Sequence, residues 1–290
     1  MNSSEILNKI PQTLKNLKEK NPLTQCITNY VTVNDVANGL LAIGASPLMS
    51  EDPQEQKDIV NINDSLVINI GTLTKSQIEG MYASLDEADN LYKPVIFDPV
   101  GAGASELRTN TSVEIINNYS ISVIRGNMSE IKILAKEYNI DIENEETVKG
   151  VDVAPEDIIS KENIKVNGRI VKELAEKINV VVMASGHIDI ISDGKNVYTI
   201  KNGDPLMSRI TGSGCMLTGI IGGFIGSNDD ILLATITGAL SITIAGELSA
   251  EYIKNNALGS GSFRTRLIDE LYKLNSETLL KRAKLENLEI

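Results

Sequence analysis

Residues 94–103 read Pro94-Val95-Ile96-Phe97-Asp98-Pro99-Val100-Gly101-Ala102-Gly103. A short apolar run ends on a carboxylate and breaks into a turn of proline and glycine. Unbroken apolarity over so few residues suits a strand of a parallel sheet that is covered on both faces. The same signature recurs at Ser65-Leu66-Val67-Ile68-Asn69-Ile70, at Ser120-Ile121-Ser122-Val123-Ile124 and at Asn179-Val180-Val181-Val182-Met183-Ala184. Between these runs, residues 74–91, 107–118, 127–138 and 162–178 carry helical periodicity. Strand and helix in alternation predict a doubly wound α/β sheet.

Further outward the pattern changes. Ile188-Asp189-Ile190-Ile191 and Asn196-Val197-Tyr198-Thr199-Ile200 flank Asp193-Gly194-Lys195. Two runs joined by a turn predict a hairpin, hence an antiparallel edge on the parallel sheet. Residues 215–225, 229–253 and 262–287 read as helices. At the start, Ser3 or Ser4 caps a helix that uses Ile6, Leu7, Ile10, Leu14 and Leu17. Residues 137–165 are acidic and broken by Gly150 and Pro155, which suits a surface excursion. With no low-complexity tract or internal repeat, we expect one domain over 1–290.

Composition narrows the function. The 290 residues carry a net charge of −12, no basic tract and only 4% aromatics. Nucleic-acid binding needs a positive surface and is disfavoured. The start, Met1-Asn2-Ser3-Ser4-Glu5, is not that of a signal peptide. No apolar run reads as long enough to span a membrane, so a soluble protein is expected. Cys26 and Cys215 are the only cysteines, which excludes a disulfide framework and fits a reducing cytoplasm.

In open parallel sheets, ligands bind beyond the carboxyl ends of the strands. Those ends deliver Asp98 with its glycine turn, Arg125-Gly126-Asn127 with Glu130 one helical turn on, and Ser185-Gly186. An early strand over 46–49 delivers Met49, and Thr28-Asn29-Tyr30 precedes a helix that starts near Thr32. Asp98 reads either as a turn residue or as an oxygen ligand for Mg²⁺. Glu130 reads as a first-turn acid favoured by the helix dipole or as part of the same site. Arg125 suits a phosphate in fork geometry or an ion pair to Asp98 or Glu130. Met49 is a core residue or a ligand contact.

The loop Thr211-Gly212-Ser213-Gly214-Cys215 opens a helix with small residues. Its free N–H groups and the positive end of the dipole make an anion site. Cys215 falls in the first turn, where a thiol pKa is expected to drop. The loop matches neither the Walker A pattern nor GxGxxG. His187, the single histidine, could pair with Cys215 as a cysteine hydrolase would require, but no third orienting group is suggested.

Taken in order, Cys26-Ile27-Thr28-Asn29-Tyr30-Val31-Thr32, Gly44-Ala45-Ser46-Pro47, Asp98 to Gly103, Arg125-Gly126-Asn127 with Glu130, Lys149-Gly150-Val151-Asp152 and Thr211 to Cys215 resemble the hydroxyethylthiazole kinase family. The resemblance implies a ribokinase-like fold without a separate lid domain. It also implies ATP-dependent phosphorylation of 4-methyl-5-(2-hydroxyethyl)thiazole in thiamine salvage, Mg²⁺ dependence and a homotrimer with active sites at subunit interfaces. By position, Arg125 and Ser185 would contact ATP, while Met49, Gly212 and Asn29 would contact the thiazole. Asp98 and Glu130 match the acids of the Mg²⁺–phosphate region. Gly212 and Gly214 belong to the catalytic loop, and Cys215 stands where related kinases have an aspartate base. The resemblance leaves two alternatives. One is another ribokinase-like activity, such as a hydroxymethylpyrimidine kinase or a nucleotide-dependent hydrate dehydratase. The other is a non-catalytic thiazole- or nucleotide-binding protein.

Overall fold

The structure, a computed structural model, describes residues 1–142 and 158–290. The Lys149-Gly150-Val151-Asp152 motif and Pro155 lie outside the described residues. Among the described residues nine strands form one sheet: β1 (Leu23–Ile27), β2 (Ser46–Leu48), β3 (Ser65–Asn69), β4 (Val95–Asp98), β5 (Val123–Asn127), β6 (Val181–Ser185), β7 (Asp189–Ser192), β8 (Val197–Ile200) and β9 (Leu285–Asn287). Their spatial order is β2-β1-β3-β4-β5-β6-β7-β8-β9. Pairings from β2 to β6 are parallel, and those from β6 to β9 are antiparallel. A mostly parallel sheet with an antiparallel edge is therefore what the chain forms.

Alternation along the strands divides the apolar side chains between two layers. Val67, Ile96, Val123 and Met183 join one core with residues from α1 (Ser3–Lys20), α2 (Val33–Ile43), α8 (Ser213–Ile225), α9 (Ile231–Asn255) and α10 (Ser260–Lys273). Leu66, Ile68, Phe97, Ile124 and Val182 join the other with α4 (Lys75–Asn90), α6 (Met128–Glu137) and α7 (Ile164–Ile178). Each fully buried Leu, Ile or Phe in these layers contributes about 1.5–3 kcal/mol through removal from water. Helix α8 crosses the first face at close range. A Cβ on Gly222 would come within 2.4 Å of Val67.

The structure corrects several expectations. The chain is not helical to its end. After α10 and α11 (Ser276–Arg282), β9 adds an antiparallel strand beside β8, because Lys201 N–H and Leu288 N–H find carbonyl partners there. The predicted hairpin is thus part of a three-stranded edge. Strand β1 and helix α3 (Gln56–Ile62) have no counterpart in the sequence expectations. Strand β5 runs through Arg125 to Asn127 instead of ending at Ile124. Helix α9 differs from the expectation about membrane spans. It is long and apolar enough by composition, yet 83% of its most apolar window is buried in the core.

Candidate active site

The apolar period of the first face continues to the carboxyl ends of four adjacent strands and there turns polar. Val67 is followed two residues on by Asn69, Ile96 by Asp98, Val123 by Arg125, and Met183 by Ser185. Because β3 to β6 are parallel, the register sets Asn69 beside Asp98 and Arg125 beside Met183, with Ser185 two residues farther on opposite Asn127, and the four polar side chains gather beneath the start of α8. The same glycine-adjacent acid that ends the 94–98 run therefore lies at the centre of a constellation.

Asp98 is fully buried. Its Oδ2 accepts from Asn69 Nδ2 at 2.9 Å, Thr218 Oγ1 at 2.7 Å and Arg125 Nη1 at 3.4 Å. Among the described residues its Oδ1 has no hydrogen-bond partner, and neither does Arg125 Nε. Burial pushes the Asp98 carboxyl up, against the opposing pull of the Arg125 charge and the Thr218, Arg125 and Asn69 hydrogen bonds. For Arg125, burial works against the charge, but Asp98, Glu130, Cys215 and Asp189 more than offset it and keep the guanidinium cationic. Arg125 Nη2 also donates to Ser185 Oγ at 2.5 Å, and Ser185 donates to the Gly126 carbonyl at 3.3 Å. The guanidinium lies against the first turn of α8, where a Cβ on Gly214 would meet both Nη1 and Nη2 at 3.0 Å.

The glycine loop places that turn. Gly212 is the N-cap of α8 with φ +86°, a conformation that favours glycine, and a Cβ there would meet Thr32 Cγ2 at 2.9 Å. Among the described residues no side chain caps α8, so its leading N–H groups are left for an anion. Cys215 follows in the first turn. Its Sγ accepts from Asn29 Nδ2 at 3.0 Å and Asn69 Nδ2 at 3.4 Å. Asn29 Nδ2 also donates to Asn69 Oδ1 at 3.2 Å. Contrary to the sequence expectation, the thiol pKa is raised. Burial is the main cause and the Asp98 charge the second, and together they exceed the effects of Thr32, Arg125 and Asn29.

Glu130 sits behind the Asp98 turn, not in the cluster. Its Oε1 accepts from Gly101 N–H at 2.8 Å and its Oε2 from Asn127 N–H at 2.7 Å, completing a capping box at the start of α6. Burial, and then the Asp98 charge, bring its pKa up to about 7. Met49, at the end of the edge strand β2, is half-buried against the same apolar core as Cys215. His187 is exposed at the β6–β7 turn, and the thiol's hydrogen bonds are to amides, so the hydrolase pairing does not form.

Four residues at the site escaped sequence reading. Asn69 links the acid to the thiol; its signal was the period-two step from Val67. Thr218, one helical turn beyond Cys215, binds Asp98. Asp189 is buried at the start of β7, accepts from Gly186 N–H at 3.0 Å and is raised to about 7 by burial. Arg108 carried no signal, because its partners are carbonyls distant in sequence.

Comparison with known proteins agrees with this geometry. The family model of the hydroxyethylthiazole kinase family matches residues 14–277. A hydroxyethylthiazole kinase of Methanobrevibacter smithii is 50% identical over 287 residues, which cover 99% of each chain. The structure of a hydroxyethylthiazole kinase protein from Pyrococcus horikoshii superposes with a TM-score of 0.85 at 33% identity, covering 97% of this chain and 100% of that one. A ribokinase-like superfamily protein from Enterococcus faecalis, 14% identical, shares the fold alone, with a TM-score of 0.57 over 91% of this chain and 89% of its own.

Proposed function

The chain belongs to the hydroxyethylthiazole kinase family, and from that premise we propose that it phosphorylates the primary hydroxyl of 4-methyl-5-(2-hydroxyethyl)thiazole with ATP, a step of thiamine salvage. The observation that carries the chemistry is the convergence of Asp98, Arg125 and Cys215 on an uncapped helix start. Arg125, oriented by Ser185, binds the triphosphate in fork geometry. The N–H groups that follow Gly212 stabilise charge developing on the transferred phosphoryl oxygens. Cys215 holds the substrate hydroxyl in line. A thiol whose pKa is raised is mostly neutral at pH 7, and a loose phosphoryl-transfer transition state asks for little base. Asn29, Met49 and Gly212 form the thiazole side.

Mg²⁺ fits the donor set. Asp98 Oδ1 is a buried oxygen without a partner, and among the described residues no group of three or more His, Cys, Asp or Glu could cage a metal. One carboxylate suits an ion held mostly by phosphates and water. When bound, Mg²⁺ offsets charge on the nucleotide phosphates. Glu130 has both oxygens committed to backbone N–H groups, so its part is to fix the Gly101 turn and to reach the metal region through water.

We read 1–290 as one kinase domain acting in the cytoplasm as a homotrimer. Exposed Tyr30 and Val31, next to Asn29, offer a surface that a subunit interface would cover. Light scattering should give three chain masses. The activity test is incubation with Mg²⁺-ATP and the thiazole, followed by mass spectrometry for the thiazole monophosphate. Parallel arms carry hydroxymethylpyrimidine and hydrated NADH. Turnover only in a parallel arm, or binding without turnover, rejects the assignment.

A further inference from the structure

Arg108 occupies the first turn of α5 (Glu106–Asn118), whose N-cap Ser105 accepts from the Arg108 N–H at 3.3 Å. That is the unfavourable end of a helix for a cation. Among the described residues Arg108 has no carboxylate partner. Its charge is spent otherwise. Nη1 donates to the Ile70 carbonyl at 2.6 Å and to the Val100 carbonyl at 2.6 Å, and Nη2 donates to the Gly71 carbonyl at 2.8 Å. One planar group thus joins the loop leaving β3 to the loop leaving β4.

Those loops begin at the two residues that meet beneath Cys215. Gly71 N–H donates to Asn69 Oδ1 at 2.9 Å, while the Ile70 and Val100 N–H groups both donate to the Asp98 carbonyl, at 3.3 and 2.9 Å. A shift of either loop would pull Asn69 away from Asp98 Oδ2 and from Cys215 Sγ together. A guanidinium offers a rigid fork of donors, which can span two loops. A lysine ammonium is a mobile point charge that cannot.

We infer that Arg108 is a positioning residue for phosphoryl transfer: it clamps the β3 and β4 loops in register and thereby sets the Asp98–Asn69–Cys215 geometry. The inference rests on the phosphoryl-transfer reading of this site, but its test has a readout outside turnover. Arg108→Lys and Arg108→Gln keep most of the stem. In both, kcat should fall about tenfold to a hundredfold while KM for ATP and for the thiazole changes less than about threefold, as for a misplaced reacting geometry with ground-state binding kept. Cys215 should also react with iodoacetamide at least about threefold faster at fixed pH, because its amide partners loosen and water enters. Cys26 is buried, so the alkylation reports Cys215.

Wild-type kcat together with a wild-type alkylation rate, even with a lowered Tm, overturns the inference. If the unaltered enzyme shows no kinase turnover, the functional assignment fails while alkylation still decides on the clamp. Hydrogen exchange of the unaltered protein needs no variant to fold. The amides of 69–71 and 100–103 should exchange together, and exchange rates differing by more than about tenfold would overturn the clamp.

Discussion

The two ends of one sheet differ in a way that separates a site from a hollow. At the amino ends of the strands, a cavity of about 410 Å³ is lined by Asp89, Tyr92, Lys93, Ser122, Ile225 and Asn228, among others. Its volume would admit a small ligand. Yet its half-buried polar side chains are spent within the protein. Asp89 accepts from Ser120 N–H, Lys93 donates to the Asn63 carbonyl, Ser122 accepts from Val95 N–H, and Asn228 donates to the Thr13 and Phe224 carbonyls. At the carboxyl ends, Asp98 Oδ1 and Arg125 Nε are buried with no partner among the described residues, which also give the start of α8 no side-chain cap. Orphaned atoms also occur singly elsewhere, as at Asn63 Oδ1 and Asn167 Nδ2, so what sets the carboxyl end apart is that an acid and a guanidinium are left unspent together beside a helix start.

The largest break in this contrast comes from Asp98→Asn. It removes the charge facing Arg125 and leaves a buried cation, which costs about 3–5 kcal/mol where one partner of a buried pair is lost. We expect kcat to fall about a thousandfold, at the upper end for removal of an electrostatic stabiliser, with a lower Tm. A loss of less than tenfold in steady-state assays would remove Asp98 from the reaction centre. Gly212→Val comes next, at about a hundredfold or more in kcat, because valine resists φ +86° and its Cβ would press on Thr32. Wild-type turnover in that variant would dissociate the loop from phosphoryl stabilisation. Cys215→Ala should cost less, about tenfold to a hundredfold, since a neutral thiol orients the hydroxyl more than it accepts a proton. Unchanged kcat would end that role.

The contrast extends to pH. Asp189 is raised to about 7 by burial, so the folded protein holds its proton more tightly than the unfolded chain does. Its contribution to stability is full below the usual carboxylate range and is lost as pH rises through 7. The melting temperature should therefore drop between pH 5.5 and pH 8; Glu130, also raised to about 7, shares in that slope, so Asp189→Asn should make it shallower without abolishing it. A wild-type slope in that variant would show that Asp189 does not govern it.

Much of the fold was legible because buried parallel strands are nearly pure runs of Val and Ile, and because glycine turns punctuate them. Strand β1 was hidden by Thr24 and Gln25, both fully buried; the partners of Gln25, Gln56 and Asn63, come from elsewhere in the chain. The three residues of β9 form a strand only because β8 offers an open edge. At the site, Asp98, Arg125 and Ser185 were readable as strand ends, and counting by twos along the same strands would have added Asn69. The direction of the Cys215 shift was not readable. The helix-start rule speaks only of the local dipole, whereas burial and the Asp98 charge arrive from other strands.

The smallest predicted effect is the one that holds the contrast to account. Ser122→Ala removes the hydroxyl that accepts the Val95 N–H at 3.2 Å, at the rim of the cavity and the start of the strand that carries Asp98. Losing one such bond costs about 1 kcal/mol of stability. Strand β4 is held along its length by β3 and β5, so a loosened amino end is not transmitted to its carboxyl end. We expect a lower Tm by thermal denaturation, kcat within about twofold of wild type, and an unaltered stabilisation of the protein by ATP. The matched change at the other end, Thr218→Val, deletes one hydroxyl bond to Asp98 and should lower kcat as well as Tm. Equal kinetic damage from both variants would mean that the sheet transmits strain from end to end. The cavity would then have to count as part of the working site.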